Sequence, residues 1–228
     1  MFSRLPKLDT ARIMIAMPLS KTAFVHAETA AFCARMNQHP NVQWGCLTGM
    51  TPELSRNGLI EHNFHKDPTW THLFFIDSDT VPPDYTFKVM LDINADVCTG
   101  LYPLFVDGVP VWSVAREGEK DDRKFIPLSE ELPKEPFPTY SCGGGCILVR
   151  REVLVEIGWP WFHLELQEIY KNGGNGVKTG EDVYFCEKCT EHGFPMIAVP
   201  SIQCKHYNQV ELKKYYDSCV RQTNGTNQ

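Results

Sequence analysis

The stretch THLFFIDSDT, residues 71–80, sets two carboxylates, Asp77 and Asp79, one residue apart at the end of an apolar run. Acids that close repel each other, and packing them against Leu73, Phe74, Phe75 and Ile76 adds a desolvation cost. A positive partner would relieve both penalties. A hard divalent cation, Mn2+ or Mg2+, prefers carboxylate oxygen and keeps positions open for water or phosphate, so the Asp77-Ser78-Asp79 triplet offers an open metal site. Alternate residues of a strand share a face, and just past the strand end the chain turns so that both acids can converge. An ordinary acidic surface turn has the same composition, so the triplet alone decides nothing.

The elements that must position it are legible in order. RIMIAMP (12–18) reads as a short strand closed by Pro18, and HAETAAFCARMNQHP (26–40) as a helix that Pro40 ends. VQWGCLTG is a second strand and TPELSRNGLIEHNF a second helix, with Thr51 as N-cap and Pro52 in its first turn. THLFFID is the third strand. Strands alternating with helices predict an α/β fold with a central, mostly parallel mixed sheet flanked by helices, in which ligands gather at the carboxyl ends of the strands. The triplet stands at such an end. Further on, PDYTFKVMLD is a helix, DVCTGLYP and VPVWSVAR are strands, and 117–138 is a charged, proline-rich surface connection. GGGCILVRREVLVEIG gives a glycine turn, a strand and a helix, and EDVYFCEKCTEHG a helix stopped at Gly193. FPMIAVPSIQCKHYN supplies one or two last strands.

Composition removes several function classes. The chain has 228 residues, 43% of them hydrophobic, enough for one substantial core. No apolar run reaches the roughly 18 residues of a membrane-spanning helix, and MFSRLPKLDT lacks the apolar centre of a signal peptide, so a cytoplasmic address is expected. The net charge of −6 gives no broad footprint for nucleic acid. Nine scattered cysteines without an export signal are read as reduced thiols. Cys142/Cys146 and Cys186/Cys189, with His192 nearby, have the look of zinc half-sites, but a second half-site at matched spacing is missing and residues 181–193 read as continuous helix.

In order along the chain, SRNGLIEHNF, THLFFIDSDT, SCGGGCILVRREVLVEIGWPWF, GEDVYFCEKCTEHGF and the late CKHYN resemble the GT-A fold nucleotide-diphospho-sugar glycosyltransferases. The similarity is to small single-domain enzymes of the family-2-like and Anp1-like type and covers roughly residues 10–208. It implies one GT-A-like domain over 1–228, with a nucleotide-binding half at 10–100, a sugar and acceptor half at 101–208, and a C-terminal helix and polar tail at 209–228. By resemblance, Asp79 binds Mn2+ or Mg2+, Asp77 contacts the donor ribose or a metal-bound water, and His206 completes the metal shell. Met17, Pro18 and Leu19 hold the base and ribose through backbone contacts, and Arg56 and Asn57 lie near the nucleotide. A guanidinium suits a diphosphate because it is planar, bidentate and always charged. Gly143, Gly144 and Gly145 let the donor sugar approach the backbone, or form no more than a tight turn. Asp182 is the general base in the inverting case, with Glu181 second, although acids in a first helical turn are also favoured by the helix dipole alone.

Trp159 and Trp161 are either sugar-stacking rings or core, and Tyr102 and Trp112 are assigned to packing first. YKNGGNGVKTG is expected to act as a lid. His62, His65, His72 and His192 are read as structural or solvated. The resemblance implies a nucleoside-diphosphate sugar donor and a hydroxyl acceptor that could be a glycan, lipid-linked glycan, protein or modified nucleobase. Two other readings stay open: a non-catalytic carbohydrate- or nucleotide-binding module, and a sugar nucleotidyltransferase. The second lacks its usual glycine- and arginine-rich loop, since AMPLSKTAFVHAET follows the first strand.

Overall fold

Leu73-Phe74-Phe75-Ile76 is buried on both sides because its strand runs through the middle of a seven-stranded sheet. The structure is a computed structural model that describes residues 10–19, 24–116, 124–168 and 175–207. The chain runs through β1 (Ile13–Pro18), α1 (Ala27–Met36), β2 (Val42–Leu47), α2 (Pro52–Leu59), β3 (His72–Ile76), β4 (Thr80–Val81), α3 (Thr86–Ile93) and β5 (Val97–Leu101). It continues with β6 (Pro103–Val106), β7 (Val109–Arg116), β8 (Lys124–Pro127), β9 (Phe137–Thr139), β10 (Ser141–Cys142), β11 (Cys146–Arg150) and α4 (Arg151–Ile157). Then come β12 (Glu165–Glu168), β13 (Asn175–Thr179), α5 (Glu181–Glu191), β14 (Met196–Gln203) and β15 (Lys205–His206).

The central sheet has the order β2-β1-β3-β11-β5-β14-β9. It is mixed, as expected, but parallel pairing does not predominate: β11 enters antiparallel between β3 and β5, and β9 is antiparallel on the edge. Side chains alternate across β3. Leu73 and Phe75 join a core with α2, α4 and α5 on one face, while Phe74 and Ile76 join a core with α1 and α3 on the other. Each buried Phe or Ile stabilises the fold by about 1.5–3 kcal/mol, so the strand that presents the acidic triplet is among the best anchored in the molecule.

Three local readings change. Thr51 does sit at the N-cap of α2 with extended backbone and Pro52 follows it, yet the Thr51 side chain makes no capping bond. The helix runs on into a π-helical turn, Ile60–Phe64, closed by a bond from the His65 N–H to Ile60 O (2.9 Å). The 117–138 connection is not merely a surface excursion, because β8 pairs with β7 and buries Ile126 completely. Likewise KNGGNGVKTG is in part a strand: β13 pairs antiparallel with β12, while 169–174, like the 209–228 tail, lies outside the described residues.

Candidate active site

Arg56 points from α2 into the core, where its side chain is only 3% exposed. Its Nη1 donates to Gly144 O (3.0 Å) and its Nη2 to Asp77 Oδ1 (2.7 Å). Its Nε lies 3.7 Å from Glu181 Oε1, an ionic contact too long for a hydrogen bond. The rings of Phe75 and Phe162 flank the guanidinium at 5.4 and 5.5 Å. Burial works against this charge, but Asp77, Glu181 and Asp182 outweigh it and hold Arg56 above its ordinary pKa. The positive partner that Asp77 needs is therefore within the chain itself. Arg56 therefore spends one N–H of each terminal nitrogen on the protein, a bracing role that stands beside the expectation that it lies near the nucleotide.

Asn57 is equally committed. Its Nδ2 donates to Phe162 O (2.7 Å) and its Oδ1 accepts from Trp161 N (3.2 Å) and Phe162 N (3.0 Å), which ties α2 to the 158–163 loop instead of facing a nucleotide. Lys188 braces the same loop from α5 by donating to Gly158 O (2.8 Å) and Pro160 O (2.7 Å). Trp161 is core, 3% exposed with its Nε1 on Leu154 O, whereas Trp159 stands 62% exposed.

The glycine run has a reason that lies inside the protein. A Cβ on Gly144 would meet Arg56 Nη2 at 2.5 Å, one on Gly143 would meet Tyr102 Oη at 2.2 Å, and one on Gly145 would meet Asp77 Oδ2, Thr80 Oγ1 and Tyr102 Cζ at 3.0 Å each. The space these glycines leave is filled by the site's own side chains rather than held open for a sugar. Tyr102, 4% exposed, accepts the Gly145 N–H on its hydroxyl (3.1 Å), and burial, then Asp77 and Asp182, push its phenol well above the ordinary value.

Beyond β3 the chain turns through a bond from Thr80 N to Asp77 O (3.2 Å) into β4, which pairs antiparallel with β15, His206 opposite Thr80. This brings His206 Nε2 within 3.6 Å of Asp79 Oδ1. His206 Nδ1 lies 2.8 Å from Pro103 O, and since a carbonyl only accepts, Nδ1 carries the proton and neutral His206 keeps a lone pair on Nε2. Asp79, set against burial, raises the His206 pKa. The strap is fastened from both sides: Glu28, at the start of α1, accepts Lys205 Nζ on Oε2 (2.7 Å) and Tyr207 Oη on Oε1 (2.8 Å). His26 stacks on Tyr207 at 3.7 Å and donates its backbone N–H to Ser78 O (2.8 Å), while Tyr207 N donates to Asp79 O (2.9 Å). Among the described residues no three His, Cys, Asp or Glu side chains converge on one point, so a metal here would take only Asp79 and His206, with Asp77 alongside, and leave its other positions open. Oxygen plus an imidazole whose second nitrogen is pinned is a donor set that suits Mn2+ or Mg2+.

Glu181 and Asp182 open α5. Glu181 is mostly buried, which raises its pKa with help from Asp182 and against Arg56. Asp182 Oδ1 accepts the Val183 N–H (2.8 Å). Met17 and Pro18 end β1 and Leu19 follows it, all with buried side chains, Leu19 donating its N–H to Leu47 O (2.9 Å), so whatever they offer a ligand is backbone.

A family model described as glycosyltransferase-like family 2 matches residues 20–225. The chain belongs to that family and is a glycosyltransferase. Two solved structures share its GT-A fold. A197 from STIV is 23% identical with a TM-score of 0.61, covering 87% of this chain and 86% of that one. GalNAc-T7, crystallised with UDP, GalNAc and Mn2+, is 13% identical with a TM-score of 0.52, covering 89% of this chain and 45% of that one. No curated protein sequence matches it.

In this glycosyltransferase the sheet brings Arg56, Asp77, Gly143–Gly145, Glu181 and Asp182 into one charged cluster, and the strap adds Asp79 and His206. Tyr102, Thr80, Phe162 and Glu28 went unrecognised as parts of it. Tyr102 was weighed only as a packing or stacking ring, and all four depend on pairings that the sequence does not display. The zinc reading ends in a thiol pair: Cys142 and Cys186 lie 3.7 Å apart and buried, with no further ligand among the described residues. No helix among the described residues is long and apolar enough to cross a membrane.

Proposed function

We propose that the protein transfers a glycosyl group from a nucleoside-diphosphate sugar to an acceptor hydroxyl in a reaction that requires Mn2+ or Mg2+. The observation that carries this is the facing of Asp79 and a tautomerically fixed His206 at the carboxyl end of β3. That GalNAc-T7 was crystallised with UDP and Mn2+ on a similar fold supports it. A bound divalent cation neutralises charge on the departing diphosphate. Asp79 and His206 would hold such a cation, and Asp77, oriented by Arg56, would face the donor ribose beside it. The chain at the end of β1, Met17, Pro18 and Leu19, receives the base and ribose through backbone groups.

In the inverting case Asp182 takes the proton from the acceptor hydroxyl as its oxygen bonds the anomeric carbon and the carbon–oxygen bond to the diphosphate breaks. Glu181, mostly buried and held by Arg56, fixes the first turn that presents Asp182. The whole chain acts as one domain, with the donor on the 10–100 side.

Donor-dependent UDP or GDP release tests this reading. Release should need Mn2+ or Mg2+, stop with EDTA, and fall at least a hundredfold in Asp79→Ala while thermal stability holds. A chain that binds nucleotide sugars without turnover would be a binding module instead. Turnover of sugar phosphate with nucleoside triphosphate would make it a nucleotidyltransferase.

A further inference from the structure

A groove of about 410 Å³ opens beside β7, lined by Trp112, Glu130, Glu131, Leu132, Lys134 and Gln203. Its floor is apolar and fixed, because Trp112 and Leu132 pack against the core beneath α2, α4 and α5. Its rim is polar and exposed at Glu131, Lys134 and Gln203, whose Nε2 donates to Pro200 O (3.3 Å) and whose Oε1 is left as an acceptor. The strand that builds the groove also reaches the candidate site. Trp112 pairs with Pro103, whose carbonyl fixes His206, and the next residue, Ser113, accepts the Gly143 N–H on its carbonyl (2.8 Å). Gln203 ends β14, so the groove lies at the same carboxyl edge of the sheet as the acidic triplet but on the side away from β1 and β2.

The chemistry of this surface narrows its ligand. An indole and a leucine offer an apolar face to C–H groups, while carboxylate, amide and ammonium groups around them offer both hydrogen-bond donors and acceptors. Arg116 already pairs with Glu130, leaving one acid and one lysine on the rim. That balance has no excess positive charge with which to hold a phosphate-rich chain. The volume lies within the range of small-ligand sites. We propose that this groove is the acceptor subsite and that the acceptor is an uncharged glycan, one of whose rings rests on Trp112 while its hydroxyls bond Glu131 and Gln203. The proposal rests on the glycosyl-transfer reading above, and it removes nucleobases and pyrophosphate-linked lipids from the acceptor classes.

The test uses the full chain with maltose, lactose and N,N′-diacetylchitobiose as probes. Saturation-transfer NMR should show at least one of them binding with millimolar affinity, and Trp112→Ala should abolish that signal. Gln203→Ala, at an exposed position, should weaken binding about threefold or more and serves where Trp112→Ala fails to fold. In turnover, both variants should raise the KM for the bound glycan about tenfold while donor hydrolysis without acceptor and the Mn2+-induced thermal shift stay as in the parent. If none of the three sugars binds, or if Gln203→Ala and a folded Trp112→Ala bind as the parent does, the subsite is overturned. Absence of donor hydrolysis in the parent would count against glycosyl transfer, and the NMR result would still decide the groove.

Discussion

Replacing Arg56 separates two roles that a buried arginine beside a phosphate site could have. If it gripped the donor, Arg56→Met would raise the donor KM and leave folding alone. The structure gives it a different task. Its loss strands Asp77 at 31% exposure, Glu181 at 19%, and the Gly144 carbonyl behind them. Breaking a buried pair by removing one partner costs about 3–5 kcal/mol, mostly because the other charge stays behind. At about 2–4 °C per kcal/mol for a chain of this size, Tm should fall by roughly 10 °C. Arg56→Lys keeps the charge but cannot reach Gly144 O and Asp77 together, so it should lose one charge-assisted bond, about 1.5–3 kcal/mol.

The decisive measurement is a double-mutant cycle by urea unfolding. Asp77→Asn in the Arg56→Met background removes the stranded charge, so the two changes should be less than additive by about 1–3 kcal/mol. Stability of Arg56→Met within about 0.5 kcal/mol of the parent, or strict additivity, would refute the bracing role and return Arg56 to the donor.

The glycine run gives a second prediction: Gly144→Ala forces a methyl onto the Arg56 guanidinium, which can move aside only by giving up its bonds to Gly144 O and Asp77, and should cost about 1–3 kcal/mol in urea unfolding. Glu28→Gln should loosen the strap and weaken Mn2+ binding about three- to tenfold, read as free Mn2+ by electron paramagnetic resonance, with Tm nearly unchanged; unchanged affinity would show that Glu28 does not position His206. His72 is depressed to about 4 by burial, chiefly, and by Arg150. Its neutral form is favoured by folding, so its contribution is complete above about pH 6.5 and is lost as the pH falls toward 4, where the unfolded chain takes up the proton first. The full loss, below pH 4, should be about 3 kcal/mol, and His72→Gln should flatten stability between pH 7 and 4.5 by about 2.4 kcal/mol.

Periodicity made the central strands and helices readable, because burial on two faces leaves continuous apolar runs such as Leu73–Ile76 and burial on one leaves helical spacing such as that of α3. The antiparallel entry of β11 was not readable, since a buried strand has the same composition whichever way it runs. The charged run hid β8 for a related reason: one buried residue, Ile126, is too little pattern to register. The candidate site shows the same division more sharply. Residue type singled out Asp77 and Asp79, and the family resemblance added Glu181, Asp182, Arg56 and the glycines as candidates, but neither said who faces whom. A guanidinium between two acids and a carbonyl is a tertiary fact, and it gives both Arg56 and Gly144 a role inside the protein. Evolution of such a site is constrained from the inside as well as by the ligand: the glycines must stay small for Arg56 and Tyr102, and Arg56 must stay charged for Asp77. A substitution that leaves every ligand-facing atom in place can therefore still dismantle the cluster.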